Sequence, residues 1–253
     1  MTHPILPYMP AVFIPVSNLK RSTEWYADLL EQPIVPKQEG GAIYYFNFAG
    51  TDIILDSNVW GFPPTIMFDT QNIDDSYTFC KTHPNGFMTD VQRFTDVSFF
   101  NINSNMVCQA HRAPEPDQPQ PVHALLRRIS RVIIHAENLQ DSIEWYEAFL
   151  KRTIETDPWT EELPLIRMDR GAHVLIDDNR LSQSPRVFYD RMQLEFRVNP
   201  IVIIESHDIE AALDYVRSKG AKDGGIEARL GVRFFTFYDP DGNGLMVCEN
   251  KFL

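Results

Sequence analysis

Cysteine is scarce. There are three in 253 residues, Cys80, Cys108 and Cys248, far apart and with no CxxC spacing. An odd, sparse set excludes a disulfide framework and suits a reducing cytoplasm. Positive charge is short as well: 23 Lys and Arg stand against 35 Asp and Glu, a formal net charge of -12. A surface that acidic repels phosphate backbones and anionic lipid, so neither nucleic acid nor membrane is an expected partner. No apolar run approaches the length of a bilayer span. Met1 to Pro10 has no basic start followed by an apolar core, so it does not read as a signal peptide. Also missing are a Gly-x-Ser-x-Gly elbow, a Gly-x-x-x-x-Gly-Lys phosphate loop and a dinucleotide glycine fingerprint. Cys108 has no recognisable base near it, and a buried thiol is normally inert.

What remains is a globular composition, 43% hydrophobic and 23% charged, in a chain long enough for two domains of ordinary size. Its most informative feature is a repeat. Ser17-Asn18-Leu19-Lys20-Arg21-Ser22-Thr23-Glu24-Trp25-Tyr26 returns 120 residues later as Glu137-Asn138-Leu139-Gln140-Asp141-Ser142-Ile143-Glu144-Trp145-Tyr146. Matches at Asn, Leu, Ser, Glu, Trp and Tyr in one register point to a duplication. Between the copies, Arg112 to Pro121 carries four prolines, which support neither a helix nor a central strand and favour an extended spacer. The expected division is a first domain over 8–112, a linker over 113–124 and a second domain over 125–253.

Each half divides again. Val12 to Val16 reads as a strand, Ser17-Asn18 as a helix start, and Leu19 through Glu31 as a helix stopped by Pro33. Strand-like runs follow at Ile34 to Pro36, Ile43 to Phe48 and Ile53 to Leu55. The order restarts with a strand at Thr65 to Phe68, a helix at Asn72 to Lys81, and strands at Val91, Val97 to Phe100 and Met106 to Cys108. In the second half the strands are Arg131 to Ala136, Leu165 to Met168 and His173 to Ile176, with a helix at Leu139 to Leu150. Then come Ile201 to Ile204, a helix from Ile209 to Lys219, Val232 to Tyr238 and Leu245 to Cys248. Gln183 to Asn199 reads as an added segment. The outcome is an α+β chain of four βαβββ units.

Near the C-terminus, Asp239-Pro240-Asp241-Gly242-Asn243-Gly244 has the look of a calcium loop. Such a loop needs a bidentate carboxylate at its twelfth position, here Asn250, and helices on both sides. The flanks are strand-like, so the run reads as a hairpin turn.

Four βαβββ units, the Asn138-Leu139-x-x-Ser142-x-x-Trp145-Tyr146 helix start with its counterpart at Asn18, and the Phe237-to-Asn243 hairpin together resemble the vicinal oxygen chelate superfamily. That group holds glyoxalase I, bleomycin-resistance proteins and extradiol dioxygenases. The resemblance implies two tandem domains, each a sheet curled into a cup. In the enzymes of the superfamily it implies a divalent ion in the cup, held by His, Gln or Glu from first and last strands. Counting from the helix starts and hairpin turns puts those positions on Ala11, Ile54, Thr65 and Cys108 in the first half, and on Arg131, Leu175, Ile201 and Met246 in the second. Ala, Ile and Leu do not ligate, and Arg repels a cation. No metal cofactor is therefore expected. A register error would leave His135, His173, Asp177 and Glu205 as displaced ligands.

The inner face of the first half collects Phe13, Ile54, Met67, Met106 and Cys108, apolar walls of the kind that line small-molecule pockets. In the second half Arg131 stands at the floor, either to hold a carboxylate or phosphate or to pair with Glu205. The expected ligand-binding set is Phe13, Ile54, Met67, Cys108, Arg131, His135, Glu205 and Met246. The expected function is sequestration of a small organic molecule without metal, by a monomer or homodimer. The alternative is a metal-dependent lyase or dioxygenase.

Overall fold

A computed structural model describes residues 3–82, 86–110, 123–178 and 201–250. Most of the proline-rich stretch, Gln183 to Asn199, His83 and His111 lie outside these residues.

The first half builds one eight-stranded sheet in the order β3-β4-β5-β2-β6-β9-β8-β7. Its strands are β2 (Ala11–Pro15), β3 (Glu39–Gly40), β4 (Ile43–Phe46), β5 (Asp52–Asp56), β6 (Thr65–Asp69), β7 (Gln92–Arg93), β8 (Val97–Ile102) and β9 (Asn105–Ala110). A short β1 (Tyr8–Met9) precedes them. The second half builds the second sheet, β11-β12-β14-β10-β15-β19-β18-β16, with β17 on β18. Its strands are β10 (Arg128–His135), β11 (Glu155–Thr156), β12 (Pro164–Ile166), β14 (His173–Asp177), β15 (Ile201–Ser206), β16 (Lys222–Asp223), β17 (Glu227–Arg229), β18 (Val232–Tyr238) and β19 (Gly244–Glu249). In each sheet the first strands of two units, β2 with β6 and β10 with β15, pair antiparallel at the centre. Both sheets are curled, as the resemblance implied.

Among the described residues four helices, α1 (Leu19–Leu30), α2 (Ile73–Thr82), α3 (Leu139–Leu150) and α4 (Ile209–Ser218), follow the first strand of each unit. Asn18 and Asn138 cap α1 and α3: the Asn18 side chain accepts from the Arg21 amide and Asn138 from those of Gln140 and Asp141. One apolar core draws side chains from both halves, including Tyr26, Phe46, Phe68, Phe149, Phe235 and Phe237. Among the described residues no helix is long and apolar enough to cross a membrane.

One sequence expectation shifts. Ile34 to Pro36 is not a strand: Pro36–Gln38 forms a single 3-10 turn, because Pro36 removes the amide that a ladder needs. The Asp239 run is a hairpin turn, as expected, closed by Asp239 N–H to Asn243 O and Gly242 N–H to Asp239 O, both at 3.0 Å. Its carboxylates do more than shape the turn. Asp241 accepts from Ser17, Arg21 and Ser22 at 2.5 to 2.7 Å, and so ties the last hairpin to the start of α1.

The halves also join through β1 and β13 (Arg170–Gly171), which pair in parallel. Gly50 and Gly171 hold equivalent places in the repeat, both with φ near +80°, and face each other there. The buried Thr51 hydroxyl donates to Met9 O and accepts from Ala172 N, both at 2.7 Å.

Candidate functional site

In a strand, side chains alternate between faces, so one face of each sheet meets the core and the other lines the cup. In the first half the alternation is clean. β4, β6 and β8 all read half-exposed, buried, half-exposed, buried. Phe13 lies between Ile54 on β5 and Thr65 on β6. One step along, Met67 lies between Ala11 and Met106. Phe13, Ile54, Thr65, Met67 and Met106 are all half-exposed, so the wall is apolar and open. Cys108 sits a step further on, beside Asp69 and Phe99. It is buried, and burial with help from Asp69 pushes its thiol up to about 12. A protonated buried thiol is no nucleophile.

The second half is packed on both faces. β14 is buried at four of its five positions, and β10 through five consecutive residues. Ile133, Leu163, Leu165, Leu175, Ile203, Val232 and Cys248 form a separate apolar cluster inside this cup, with Trp159, Leu230, Phe234 and Met246 against it. Only about 60 Å³ of free space is left among them. Arg131 is at the floor, as the count placed it, but its partner is Asp157 and not Glu205. Arg131 Nε donates to Asp157 Oδ1 at 2.8 Å and Nη2 lies 2.7 Å from the same oxygen, with both side chains buried. Trp159 covers the guanidinium, its ring centroid 3.5 Å from Cζ. The other Asp157 oxygen accepts from the amides of Trp159 and Thr160. The carboxylate that Arg131 was expected to receive from an incoming ligand or from Glu205 is supplied by Asp157.

The proposed displaced ligands do not converge. β10 and β15 are antiparallel, so Glu205 aligns with Arg128, whereas His135 aligns with Asp177 at the other end of β10. Seven residues of strand separate the two ends, about 23 Å. Glu205 accepts from Arg128 Nε at 2.8 Å and from Asn250 at 3.2 Å. Asp177 pairs with Arg229 at 3.0 Å. His173 aligns with Arg131, and its Nδ1 accepts the Met168 amide at 3.2 Å. Its imidazole is pushed down to about 4, first by burial and then by Arg131, Arg167 and Arg128. The count was also two residues out on β15, where Ile203 and not Ile201 lies between Arg131 and Met246.

Comparison with solved structures agrees with the topology. Catechol 2,3-dioxygenase superposes with a TM-score of 0.58 at 13% identity, over 97% of this chain and 93% of that one. A mutant 4-hydroxymandelate synthase from Streptomyces coelicolor gives 0.59 at 11% identity, over 98% and 94%. The Mn(II)-bound glyoxalase from Novosphingobium aromaticivorans gives 0.54 at 14%, over 97% and 81%. The chain has the vicinal oxygen chelate fold. No family model and no curated protein matches its sequence.

Enzymes of the vicinal oxygen chelate fold place a divalent ion on the cup floor, and the donors here do not fit one. The floor row of the second cup reads His173, Arg131, Ile203 and Met246 across neighbouring strands. One imidazole, with Nδ1 engaged and a guanidinium alongside, cannot replace three donors. The matching row of the first cup reads Asp52, Ala11, Met67 and Met106. Among the described residues no group of three or more His, Cys, Asp or Glu is placed to hold a metal ion.

Asp157 and Trp159 are the site residues that sequence reasoning missed. Asp157-Pro158-Trp159-Thr160 is an Asx-type turn, which composition does signal. What composition does not signal is that the turn folds over the cup.

Proposed function

We propose that the chain is a metal-independent binding protein that holds a small organic molecule against the floor of its first cup. The observation that carries this reading is the contrast between the cups: Phe13, Ile54 and Met67 are half-exposed on one open face, while the second cup is filled by its own Trp159, Leu163, Leu230 and Phe234. Apolar surface left open to water is stabilised by any ligand that covers it. Met67 and Met106 give that face the plasticity to take more than one shape. The superfamily's drug-sequestering proteins provide the analogy. Domain limits of 8–112 and 125–253, with a linker between them, and a reducing, cytoplasmic setting for three buried free cysteines, belong to the same reading.

A thermal-shift screen of small aromatic and aliphatic molecules tests it, since a ligand specific for the native state raises Tm. Met67→Arg should abolish the shift and Trp159→Ala should preserve it. No responding molecule, or none whose shift Met67→Arg removes, would refute it. A lyase or dioxygenase of the glyoxalase or extradiol type needs donors that neither floor row supplies.

A further inference from the structure

A second opening, a cleft of about 590 Å³, lies where the two halves meet, away from the first cup's face. The first half contributes Ala49 and Gly50, and the second contributes Arg128, Ser130, Arg131, Arg167, Arg170 and His173. Four guanidinium groups and one carboxylate, Asp169, line this cleft, so its lining carries an excess of cations in a chain of net charge -12. Several are paired: Arg128 with Glu205, Arg131 with Asp157, and Arg167 with Glu155. The pairing does not cancel the field. Arg131, Arg167 and Arg128 all push the His173 imidazole down, and of the carboxylates only Asp157 pushes it back, as the smallest of the influences.

Donors are available as well as charge. Arg128, which lines the cleft, meets Glu205 through Nε, so the forked Nη groups of this exposed side chain lie outside that hydrogen bond. His173 accepts at Nδ1, so its proton sits on Nε2. Ser130 is 7% exposed, and its buried hydroxyl has no hydrogen-bond partner among the described residues. A buried hydroxyl without a partner calls for an explanation, and a bound acceptor supplies one. Pro158 and Trp159 line the same cleft, and both keep apolar surface open beside the donors.

We infer that this cleft binds the oxyanion of a small organic molecule, a carboxylate or a phosphate ester, with its apolar body against Pro158 and Trp159. Forked guanidinium groups match both oxyanions, and the volume falls within the range of small-molecule sites. The inference is independent of the first-cup reading and involves different residues.

Isothermal titration of the full chain with benzoate, phenyl phosphate and inorganic phosphate tests it. Benzoate or phenyl phosphate, whichever of the two chemistries the cleft prefers, should bind saturably and weaken as salt is added. Arg167→Gln and, separately, Ser130→Ala should each weaken that binding at least tenfold. Ser130→Ala removes only an unpartnered hydroxyl, so its Tm should stay at or above that of the unmodified chain. Met67→Arg should leave binding unchanged, which separates failure here from failure of the first-cup reading. Inorganic phosphate binding as tightly as either organic probe would overturn the claim of an organic ligand. No saturable binding, or binding that both cleft substitutions leave intact, would overturn the site altogether.

Discussion

The Tyr26 hydroxyl, on α1 in the first half, donates to Asp239 Oδ2 in the second half at 3.0 Å, with both groups buried. Its repeat mate Tyr146 makes the reciprocal connection to Asn105 at 3.1 Å. The duplication has thus kept a hydrogen bond from each tyrosine to the hairpin of the other half while the acceptor differs, a carboxylate in one and an amide in the other. Hydrogen bonds to charged groups contribute about 1.5–3 kcal/mol and neutral ones about 0.5–1.5. Tyr26→Phe should therefore destabilise the fold by roughly 1 kcal/mol more than Tyr146→Phe. Urea midpoints at unchanged m-value would measure the difference.

Arg131 and Asp157 make a second comparison possible. Removing one member of a buried pair leaves an uncompensated charge, so Asp157→Ala should cost about 3–5 kcal/mol. Replacing both, as Arg131→Met with Asp157→Leu, should come within about 1 kcal/mol of the original, because well-packed apolar side chains often substitute for a buried pair without loss. A double-mutant cycle by chemical denaturation would show whether the coupling has that sign.

Gly171 is held at φ +78°, and a Cβ there would lie 2.3 Å from Met9 O and 2.7 Å from Thr51 Oγ1. Gly231 has nearly the same φ, +75°, with nothing within 4 Å of its Cβ position. Gly231→Ala should cost about 1–2 kcal/mol for the left-handed backbone alone. Gly171→Ala must also push apart β1 and β13, and should cost well over that. Thermal unfolding of the two variants would separate conformational strain from the clash.

Acid should weaken the fold through its buried imidazoles. The His173 imidazole is pushed down to about 4 from the ordinary value of 6.5, first through burial and then through the neighbouring arginines. Between those two values the unfolded chain binds more protons than the native one, so stability falls as pH drops. His123, lowered first by its burial, acts with the same sign. His173→Gln should flatten the fall in urea midpoint between neutral pH and pH 5, leaving the part due to His123.

Much of this architecture could be read from the chain. Helix starts were legible because Asn18 and Asn138 are local caps, and the cup-facing side of each strand was legible because alternation is local too. Long-range pairing was not. Asp241 lies more than 200 residues from Ser17, Arg21 and Ser22, and nothing in the hairpin's own sequence names those partners. On β10 the pairing register shifts between Ile129 and Arg131, and no residue there signals a bulge. Glu205 and Asp177 looked like spare ligands only because Arg128 and Arg229, which take them up, arrive from other strands. Trp159, which closes the second cup, is contributed by a turn whose direction no periodicity records.

Metal analysis of the full chain, purified without chelator, bears most directly on the proposal that its binding is metal-independent. The expected result is no stoichiometric divalent metal and no change in Tm when a chelator is added. One equivalent of iron, manganese, nickel or zinc that disappears on His173→Ala would contradict it, and would restore the enzyme reading.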